Sequence, residues 1–310
     1  MGIYRCETQL LLKCFPDHVE SELISQRTNG ESYMGAPKID EIGPWSEIKL
    51  EILKRYAVEY SKILSSQNNP SLFHVYIDAF AGAGFHLSRR SGEWILGSPL
   101  NALLVQPPFR EYHLIDLDGH KVEGLKQLVG DRKEVFVHKG DCNQVLLQGV
   151  FPKVRYKDFR RGLCLLDPYG LTLNWKVIQE AGAMQSLDIF INFPIYDINI
   201  NVLHHDPATV SPLHIQRMNA YWGDETWRAV AYERSPGLFG MMEEKVSNER
   251  FAQAFRERLK TAAGFKRVPE PLPMRNSKGS IVYYLFFASH KNTAEKIIKH
   301  IFDKFGRGRT

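Results

Sequence analysis

Residues 73–86 restrict the fold of this chain more than any other stretch, and they read Phe73-His-Val-Tyr-Ile-Asp-Ala-Phe-Ala-Gly-Ala-Gly-Phe-His86. The first half is rich in β-branched and aromatic side chains and predicts a buried strand that ends at Asp78. Gly82 and Gly84 follow, and glycine permits positive φ or the close approach of a ligand to the backbone. The stretch therefore predicts a strand that leads into a nucleotide-binding turn, although an ordinary tight turn can have the same sequence.

Further apolar stretches predict strands over residues 111–118, 135–138, 162–166 and 187–192. Helical stretches separate these strands, and this alternation predicts an α/β fold with a mostly parallel sheet and helices on both faces. In such a sheet a ligand binds beyond the carboxyl ends of the strands. Acids stand at or just after these ends: Asp78, Asp116, Asp141 and Asp167. Their recurrence in successive units favours one shared ligand site over independent helix caps.

Individual residues at this edge have candidate roles. Asp116 ends the second strand, where a carboxylate can accept both hydroxyl hydrogens of a ribose, whereas Asp118 fits the cap of the following helix. Asp141 can accept from an adenine amine or cap the next helix, and the sequence leaves both roles open. Ser98 before Pro99 has the form of an N-cap. The free N–H groups of that cap can bind a carboxylate or phosphate, but a plain cap needs no ligand.

The rest of the chain surrounds this core. Residues 1–43 form an N-terminal extension for which the sequence predicts no fold, and Pro44 begins a helix with an apolar stripe. We expect a core over residues 44–195 and an inserted helical cap over residues 196–246. Residues 247–310 complete the core with a helix capped by Ser247, a strand and a last helix.

The insertion contains residues that could contact a ligand. Tyr221, Trp222 and Trp227 can stack on a base or belong to the hydrophobic core, and core is the commoner role at helical spacing. The adjacent His204 and His205 lack further ligands at helical spacing, which disfavours a metal site.

Composition limits the classes of protein that fit. The chain has 310 residues, 44% of them hydrophobic, which is enough for one large globular domain. No long apolar run or signal-peptide pattern is present, so we expect a cytoplasmic protein without a membrane partner. The four cysteines lack the Cys-x-x-Cys spacing of zinc or redox sites, which favours free thiols. The net charge of +5 mildly favours a polyanionic partner such as nucleic acid.

The motifs together resemble those of class I S-adenosylmethionine-dependent methyltransferases. Within that superfamily, residues 45–305 look like the three-Cys-motif partner (TcmP) family. The resemblance rests on these runs: Asp78-Ala-Phe-Ala-Gly-Ala-Gly84, Gly97-Ser-Pro-Leu100, Leu166-Asp-Pro-Tyr-Gly170, Ile191-Asn-Phe-Pro194 and Tyr284-Leu-Phe-Phe-Ala-Ser289. It implies a methyltransferase-like fold, S-adenosylmethionine as cofactor, and a protein partner that carries the cysteine motif.

The resemblance also implies roles for single residues. It places Gly82 and Gly84 against the methionine part of the cofactor, Asp78 near its amino group, Asp116 on the ribose and Asp141 by the adenine. Phe80, Ser98 and Cys142 belong to the same implied cofactor-binding set.

Residues 167–170 resemble the Asp/Asn-Pro-Pro-aromatic motif of methyltransferases that act on adenine amines. Asp167 and the Pro168 carbonyl would then orient the target amine, and Tyr169 would line the base pocket. Tyr169 stands where that motif has its second proline, and Gly170 stands where it has the aromatic residue.

Other functions stay open at this stage. A nucleic-acid amine is the first candidate acceptor, and a small molecule or protein is the second. A non-catalytic module that binds its partner protein, in a phage or defence locus, is a third hypothesis. A dinucleotide-dependent oxidoreductase is the weakest, because Leu87 occupies the third glycine position of Gly-x-Gly-x-x-Gly.

Overall fold

The structure is a computed structural model, and it describes residues 40–237 and 240–306. In chain order the strands are β1 (Asp40–Ile42), β2 (Phe73–Asp78), β3 (Phe85–Ser88), β4 (Trp94–Leu96), β5 (Glu111–Asp116), β6 (Val135–Lys139), β7 (Arg160–Leu166), β8 (Leu187–Phe193), β9 (Tyr232–Gly237), β10 (Gly240–Lys245), β11 (Leu272–Arg275) and β12 (Ile281–Ala288).

The α-helices are α1 (Pro44–Ser65), α2 (Ser98–Leu103), α3 (Gly119–Val129), α4 (Cys142–Gln144), α5 (Trp175–Met184), α6 (Ile195–Asn201), α7 (Pro212–Trp222), α8 (Trp227–Ala231), α9 (Asn248–Thr261) and α10 (Asn292–Gly306). A π-helical segment, Val145–Val150, continues α4, and short 3-10 turns follow at Phe151–Lys153, Tyr156–Asp158 and Pro207–Thr209.

The central sheet has seven strands in the order β11-β12-β8-β7-β2-β5-β6. Neighbouring strands of this sheet are parallel, except that β12 runs antiparallel to both β8 and β11. This order, with one reversed strand near one edge, is that of the class I methyltransferase-like fold, so the predicted fold class is confirmed. The chain leaves β2 toward β5 and β6, then returns to place β7 and β8 on the other side. The carboxyl end of β2 is therefore the point where the direction of winding changes, and there a ligand crevice is expected.

Alternating side chains of the central strands bury both faces of the sheet. Val75 and Ile77 of β2 belong to one hydrophobic cluster, while Tyr76 between them belongs to the other. One face packs against α1, α2, α3 and α10, and the other packs against α5, α6, α7 and α9. Because helices cover both faces, the strands are nearly continuous apolar runs, which made them easy to predict.

Several predicted elements are confirmed with small changes at their ends. All five predicted parallel strands are present, the helix from Pro44 is α1, and Ser247 caps α9 by accepting from the Arg250 N–H at 3.2 Å. The late strand and its following helix are β12 and α10.

Three short β-structures were not predicted. β1 pairs in parallel with β3, and β3 pairs with β4, so the charged stretch after the glycine turn is a small sheet of its own. The hairpin β9–β10 lies within the region expected to be a helical cap, and β11 is added beyond β12. The strands β1, β3, β4 and β11 have three or four residues, too few alternating positions to be recognised in the sequence. The six-residue strands β9 and β10 contain glycine, proline and charged residues in place of an alternating apolar pattern.

The aromatic residues of the 196–246 segment belong to the core. Tyr221, Trp222 and Trp227 are each at most 2% exposed. The Trp222 ring stacks on Phe251, with 5.2 Å between centroids, and Tyr221 stacks on Phe255. The alternative that these aromatics stack on a base is therefore wrong, because no face of them is free.

Cys142 and Cys164 are buried free thiols, as expected, while Cys6 and Cys14 lie outside the described residues. Across residues 40–237 and 240–306, no helix is both long and apolar enough to cross a membrane.

Candidate functional site

The glycine turn after β2 is tied to the ends of the next two strands. The Gly82 N–H donates to Asp116 Oδ2 at 2.8 Å, and the Ala81 N–H donates to the Ile115 carbonyl at 2.8 Å. The Gly140 N–H, just after β6, donates to the Asp116 carbonyl at 3.0 Å. The ends of β2, β5 and β6 therefore meet around Asp116, as expected for a common ligand edge.

Glycine is required at the two positions of the turn for different structural reasons. Both have positive φ, +65° at Gly82 and +89° at Gly84. A Cβ on Gly82 would have no atom of residues 40–237 and 240–306 within 4 Å, so among these residues it would project into open space at the strand edge. A Cβ on Gly84 would lie 3.1 Å from Leu128 Cδ1 and 3.3 Å from Leu125 Cδ1. Gly84 therefore allows α3 to pack closely, whereas Gly82 leaves room where a ligand can approach the backbone.

Asp78 is fully buried beneath this turn. Its carboxylate accepts from the Phe80 N–H at 3.2 Å and from the Tyr76 hydroxyl at 3.3 Å, and it also bonds to the Ser98 side chain. Burial raises the pKa of Asp78 to about 6, although these hydrogen bonds oppose the rise. The backbone of Phe80 thus fixes Asp78, and the Phe80 ring is half buried against the core.

Ser98 does not cap α2, contrary to prediction. The helix begins at Ser98 itself and its N-cap is Gly97, so Pro99 is the second helical residue. Glycine is tolerated at the N-cap, and Ser98 is left to bond Asp78.

Asp141 and Asp118 are both helix caps. Asp141 Oδ1 accepts from the N–H groups of Asn143 and Gln144 at 2.8 and 3.2 Å, and Asp118 accepts from the His120 N–H at 2.8 Å. Asp141 is also exposed, so its role toward adenine stays a prediction. The neighbouring Cys142 is buried in the core, and burial raises the pKa of its thiol to about 12, so the thiol is protonated at neutral pH.

Asp116 is half buried and uses both carboxylate oxygens. Oδ2 accepts from Gly82, and Oδ1 accepts from the Asp118 N–H at 2.9 Å. Each carboxylate oxygen can accept twice, so one acceptor position per oxygen is left for a ribose hydroxyl. Asp116 therefore fits the predicted role while also shaping the turn.

Asp167 forms an ion pair that the sequence analysis missed. Lys49 of α1 donates its Nζ to Asp167 Oδ2, and this ammonium also lies 5.3 Å from the centroid of the Tyr283 ring. Lys49 is only 8% exposed. The sequence contained one signal for this pair, a lysine next to Ile48 on the apolar stripe of α1. A lysine at such a position is expected to be buried, and a buried lysine requires a partner.

Pro168 and Tyr169 lie at the rim of the site. The Pro168 carbonyl accepts from Asn192 Nδ2 at 3.3 Å, which leaves it one further acceptor position. The Tyr169 side chain is 78% exposed, and its hydroxyl donates to Asp40 Oδ2 at 3.1 Å.

His86 is a second residue that the sequence analysis did not assign to the site. It lies beside Gly97 and within electrostatic range of Lys49, Asp167 and Asp40. Burial, together with the charge of Lys49, lowers the pKa of His86 to about 4, so the ring is neutral at pH 7. Its Nδ1 is buried and has no hydrogen-bond partner within the part of the chain that the structure describes.

The described residues contain no cluster of three or more His, Cys, Asp or Glu side chains suited to a metal ion. Two surface cavities, of about 450 and 490 Å³, lie away from the strand ends described above, one beside Asn69 and Arg110 and one beside Trp227 and Tyr232.

No protein-family model and no curated protein matches the chain. Among solved structures, the chain is similar to a protein from Legionella pneumophila, with 10% identity over 83% of this chain and 91% of that one and a TM-score of 0.44. It is similar to a candidate S-adenosylmethionine-dependent methyltransferase from Listeria monocytogenes, with 11% identity, 76% and 99% coverage and a TM-score of 0.39. It is also similar to a candidate methyltransferase from Thermobifida fusca, with 13% identity, 80% coverage of each chain and a TM-score of 0.41. The fold assignment rests on the strand order of this chain, and membership of the TcmP family stays a prediction.

Proposed function

We propose that the protein is an S-adenosylmethionine-dependent methyltransferase. The observation that carries this proposal is the contact between the Gly82 amide and Asp116 at the carboxyl end of β2, in a sheet with the class I strand order. A glycine turn that leaves open space, next to a carboxylate with unused acceptor positions, suits an adenosyl ligand with a methionine tail.

The residues divide the work of binding. Asp116 accepts from the ribose hydroxyls, Asp141 lies on the adenine side, and the Gly82 backbone lies against the methionine part. When bound, the cofactor supplies an electrophilic methyl group on a sulfonium. The remaining task of the protein is to hold an acceptor in line with that group, which requires positioning more than acid–base chemistry.

The proposed acceptor is an amine of a nucleic-acid base. Asp167 keeps Oδ1 outside its ion pair with Lys49, so this oxygen can accept from an amine N–H. The exposed Tyr169 ring beside it offers a stacking surface, and the net charge of +5 favours a polyanion. A three-Cys-motif protein is the proposed protein partner.

The test is calorimetric titration of the full chain with S-adenosylmethionine and, separately, with NAD, followed by mass spectrometry of DNA and RNA incubated with the labelled cofactor. We expect the chain to bind S-adenosylmethionine and not NAD. Asp116→Ala should abolish this binding, while Asp118→Ala, two residues away at a helix cap, should retain it. Asp167→Ala should bind the cofactor but lose transfer.

The results separate the competing functions. Transfer to a small molecule or a protein, but not to nucleic acid, would replace the proposed acceptor. Binding without any transfer would favour a module that keeps the fold to bind its partner. Binding of NAD instead would overturn the assignment.

A further inference from the structure

Asp40 joins the first turn of α3 to the loop after β7, on opposite sides of the candidate crevice. Its Oδ2 accepts from Lys121 Nζ at 2.6 Å and from the Tyr169 hydroxyl at 3.1 Å. Lys121 Nζ also lies 5.9 Å from the centroid of the Tyr169 ring. We call this set of contacts among Asp40, Lys121 and Tyr169 the Asp40 bridge.

The sheet order shows what the bridge crosses. Lys121 lies in α3, directly after β5, and Tyr169 lies in the loop after β7. β5 and β7 flank β2 on its two sides. A contact between α3 and the loop after β7 therefore crosses the carboxyl end of β2, where the Gly82 turn and its open space lie.

The strand that carries Asp40 is attached next to the crevice. β1 pairs in parallel with β3, and Asp40 is in register with His86. β3 itself starts directly after the glycine turn, and the Arg89 N–H donates to the Ile42 carbonyl at 2.9 Å. This short ladder has few hydrogen bonds, so β1 can separate from the domain at a lower free energy than the central strands can.

Charge and burial hold the bridge in place. The side chains of Lys121 and Asp40 are 14% and 32% exposed, so the ion pair is partly shielded from water. Burial raises the pKa of Asp40, but the hydrogen bond and the charge of Lys121 outweigh this effect. The pKa of Asp40 is therefore below its usual value. Asp40 is therefore charged at neutral pH, and the bridge is intact there.

We propose that the Asp40 bridge is a gate over the cofactor crevice, which must open for an adenosyl ligand to enter or leave. This inference rests on the proposed function for the identity of the ligand, but the opening of the bridge is a property of the ligand-free chain. Asp40→Asn weakens the bridge without a change of size, and Tyr169→Phe removes one of its hydrogen bonds.

The experiment uses stopped-flow binding of S-adenosylhomocysteine to the full chain. Because the loss of a charge-assisted hydrogen bond changes an opening equilibrium by about fivefold, we expect Asp40→Asn to raise both the association and the dissociation rate roughly fivefold. Tyr169→Phe should raise both rates by a smaller factor. Higher salt should raise the rates of the unmodified protein and leave those of Asp40→Asn unchanged, since salt screens the ion pair.

Glu123→Gln is the matched control. It removes one negative charge from α3, where Glu123 pairs with Lys126 at 3.7 Å, and it leaves the three residues of the bridge unchanged. Rates of Asp40→Asn equal to those of Glu123→Gln would overturn the gate.

A second measurement does not need a ligand. Hydrogen exchange of residues 79–84 in the ligand-free chain should be faster in Asp40→Asn than in Glu123→Gln, while β12 should exchange equally in both. Equal exchange in residues 79–84 would count against the gate even if the proposed cofactor did not bind. Failure of the unmodified protein to bind S-adenosylhomocysteine, with faster exchange in Asp40→Asn, would instead overturn the proposed function and leave the gate standing.

Discussion

Lys49, on the helix before the first central strand, pairs with Asp167 at the end of β7, 118 residues later in the chain. The lysine side chain is 10% exposed and the aspartate side chain 21% exposed, so neither charge is fully hydrated. Removing one partner of such a pair leaves the other charge without compensation. The pair therefore fixes the carboxylate proposed to hold the acceptor and ties α1 to the loop after β7.

We predict that Lys49→Met destabilises the protein by about 1–3 kcal/mol, because Asp167 then loses its counter-ion in a partly buried place. Lys49→Arg should cost less, since it keeps the charge. Urea denaturation measures both. The exposed pair of Lys62 with Glu59 serves as control, and Lys62→Met should cost less than about 1 kcal/mol. If Asp167→Asn restores none of the loss in the double variant, the two residues are not coupled.

We predict different effects for alanine substitutions at the two glycines of the turn, Gly82 and Gly84. Gly82→Ala should cost about 1 kcal/mol of stability, because the backbone has φ of +65°, yet its methyl group would enter only open space. It should weaken S-adenosylmethionine binding at least tenfold, as about 1.4 kcal/mol of binding energy corresponds to tenfold. Calorimetry measures the binding.

Gly92→Ala is a matched control for this prediction. Gly92 also has φ of +65° and open space at its Cβ position, but it lies in the turn between β3 and β4. The stability loss should match that of Gly82→Ala, with binding unchanged. Gly84→Ala should be more destabilising than either, because its methyl group would press on Leu128 and Leu125. Equal binding by Gly82→Ala and Gly92→Ala would contradict the placement of the ligand against Gly82.

The sequence predicts the central sheet well and the rim of the site poorly, for a physical reason. Buried parallel strands such as β2 and β8 are mostly apolar and rich in β-branched and aromatic residues, so the local pattern suffices to find them. The glycine turn and Asp116 follow from the same local pattern. Their meeting follows from the rule that ligands bind at the carboxyl ends of parallel strands.

Contacts between distant segments could not be predicted. Lys49 signals a buried charge by its place on an apolar stripe, but only the fold reveals that its partner is Asp167. Asp40 lies in a strand of three residues, too short for a pattern, and its bond to Tyr169 joins positions 129 residues apart. The role of Trp222 also needed the fold, because a tryptophan in the core and a tryptophan at a binding surface can have the same local sequence.

The burial of Trp222 yields a prediction for the 196–246 segment. Trp222→Ala should destabilise the whole domain by about 3–5 kcal/mol, since its ring is 2% exposed and stacks on Phe251. Leu213→Ala in the same helix is the control, and should cost less than about 0.5 kcal/mol because Leu213 is 53% exposed. One cooperative thermal transition in both variants is expected. A separate early transition in Trp222→Ala would mean that the segment unfolds independently.

Asp78 gives a prediction about pH. Burial raises its pKa from the ordinary value of 3.8 to about 6, so between these values the folded state binds a proton that the unfolded state has lost. Stability contributed by protonated Asp78 is therefore lost as pH rises through this window. A difference of about 2 pH units, at about 1.4 kcal/mol each, amounts to about 3 kcal/mol lost by pH 8.

Asp78→Asn should remove this dependence, because an amide keeps an acceptor for the Phe80 N–H and does not ionise. We expect the stability of the variant relative to the unmodified protein to rise between about pH 4 and pH 6, by up to about 3 kcal/mol in total, and to stay constant from there to pH 8, as measured by urea denaturation. His86 titrates in the opposite sense, because its pKa is lowered from 6.5 to about 4. The folded state therefore gains stability from His86 as pH rises between these two values. Because His86 is present in both proteins, its contribution cancels in the difference between them. An unchanged pH dependence in Asp78→Asn would mean that the carboxylate is ionised in the folded state, held there by the Ser98 and Tyr76 hydroxyls and the Phe80 N–H.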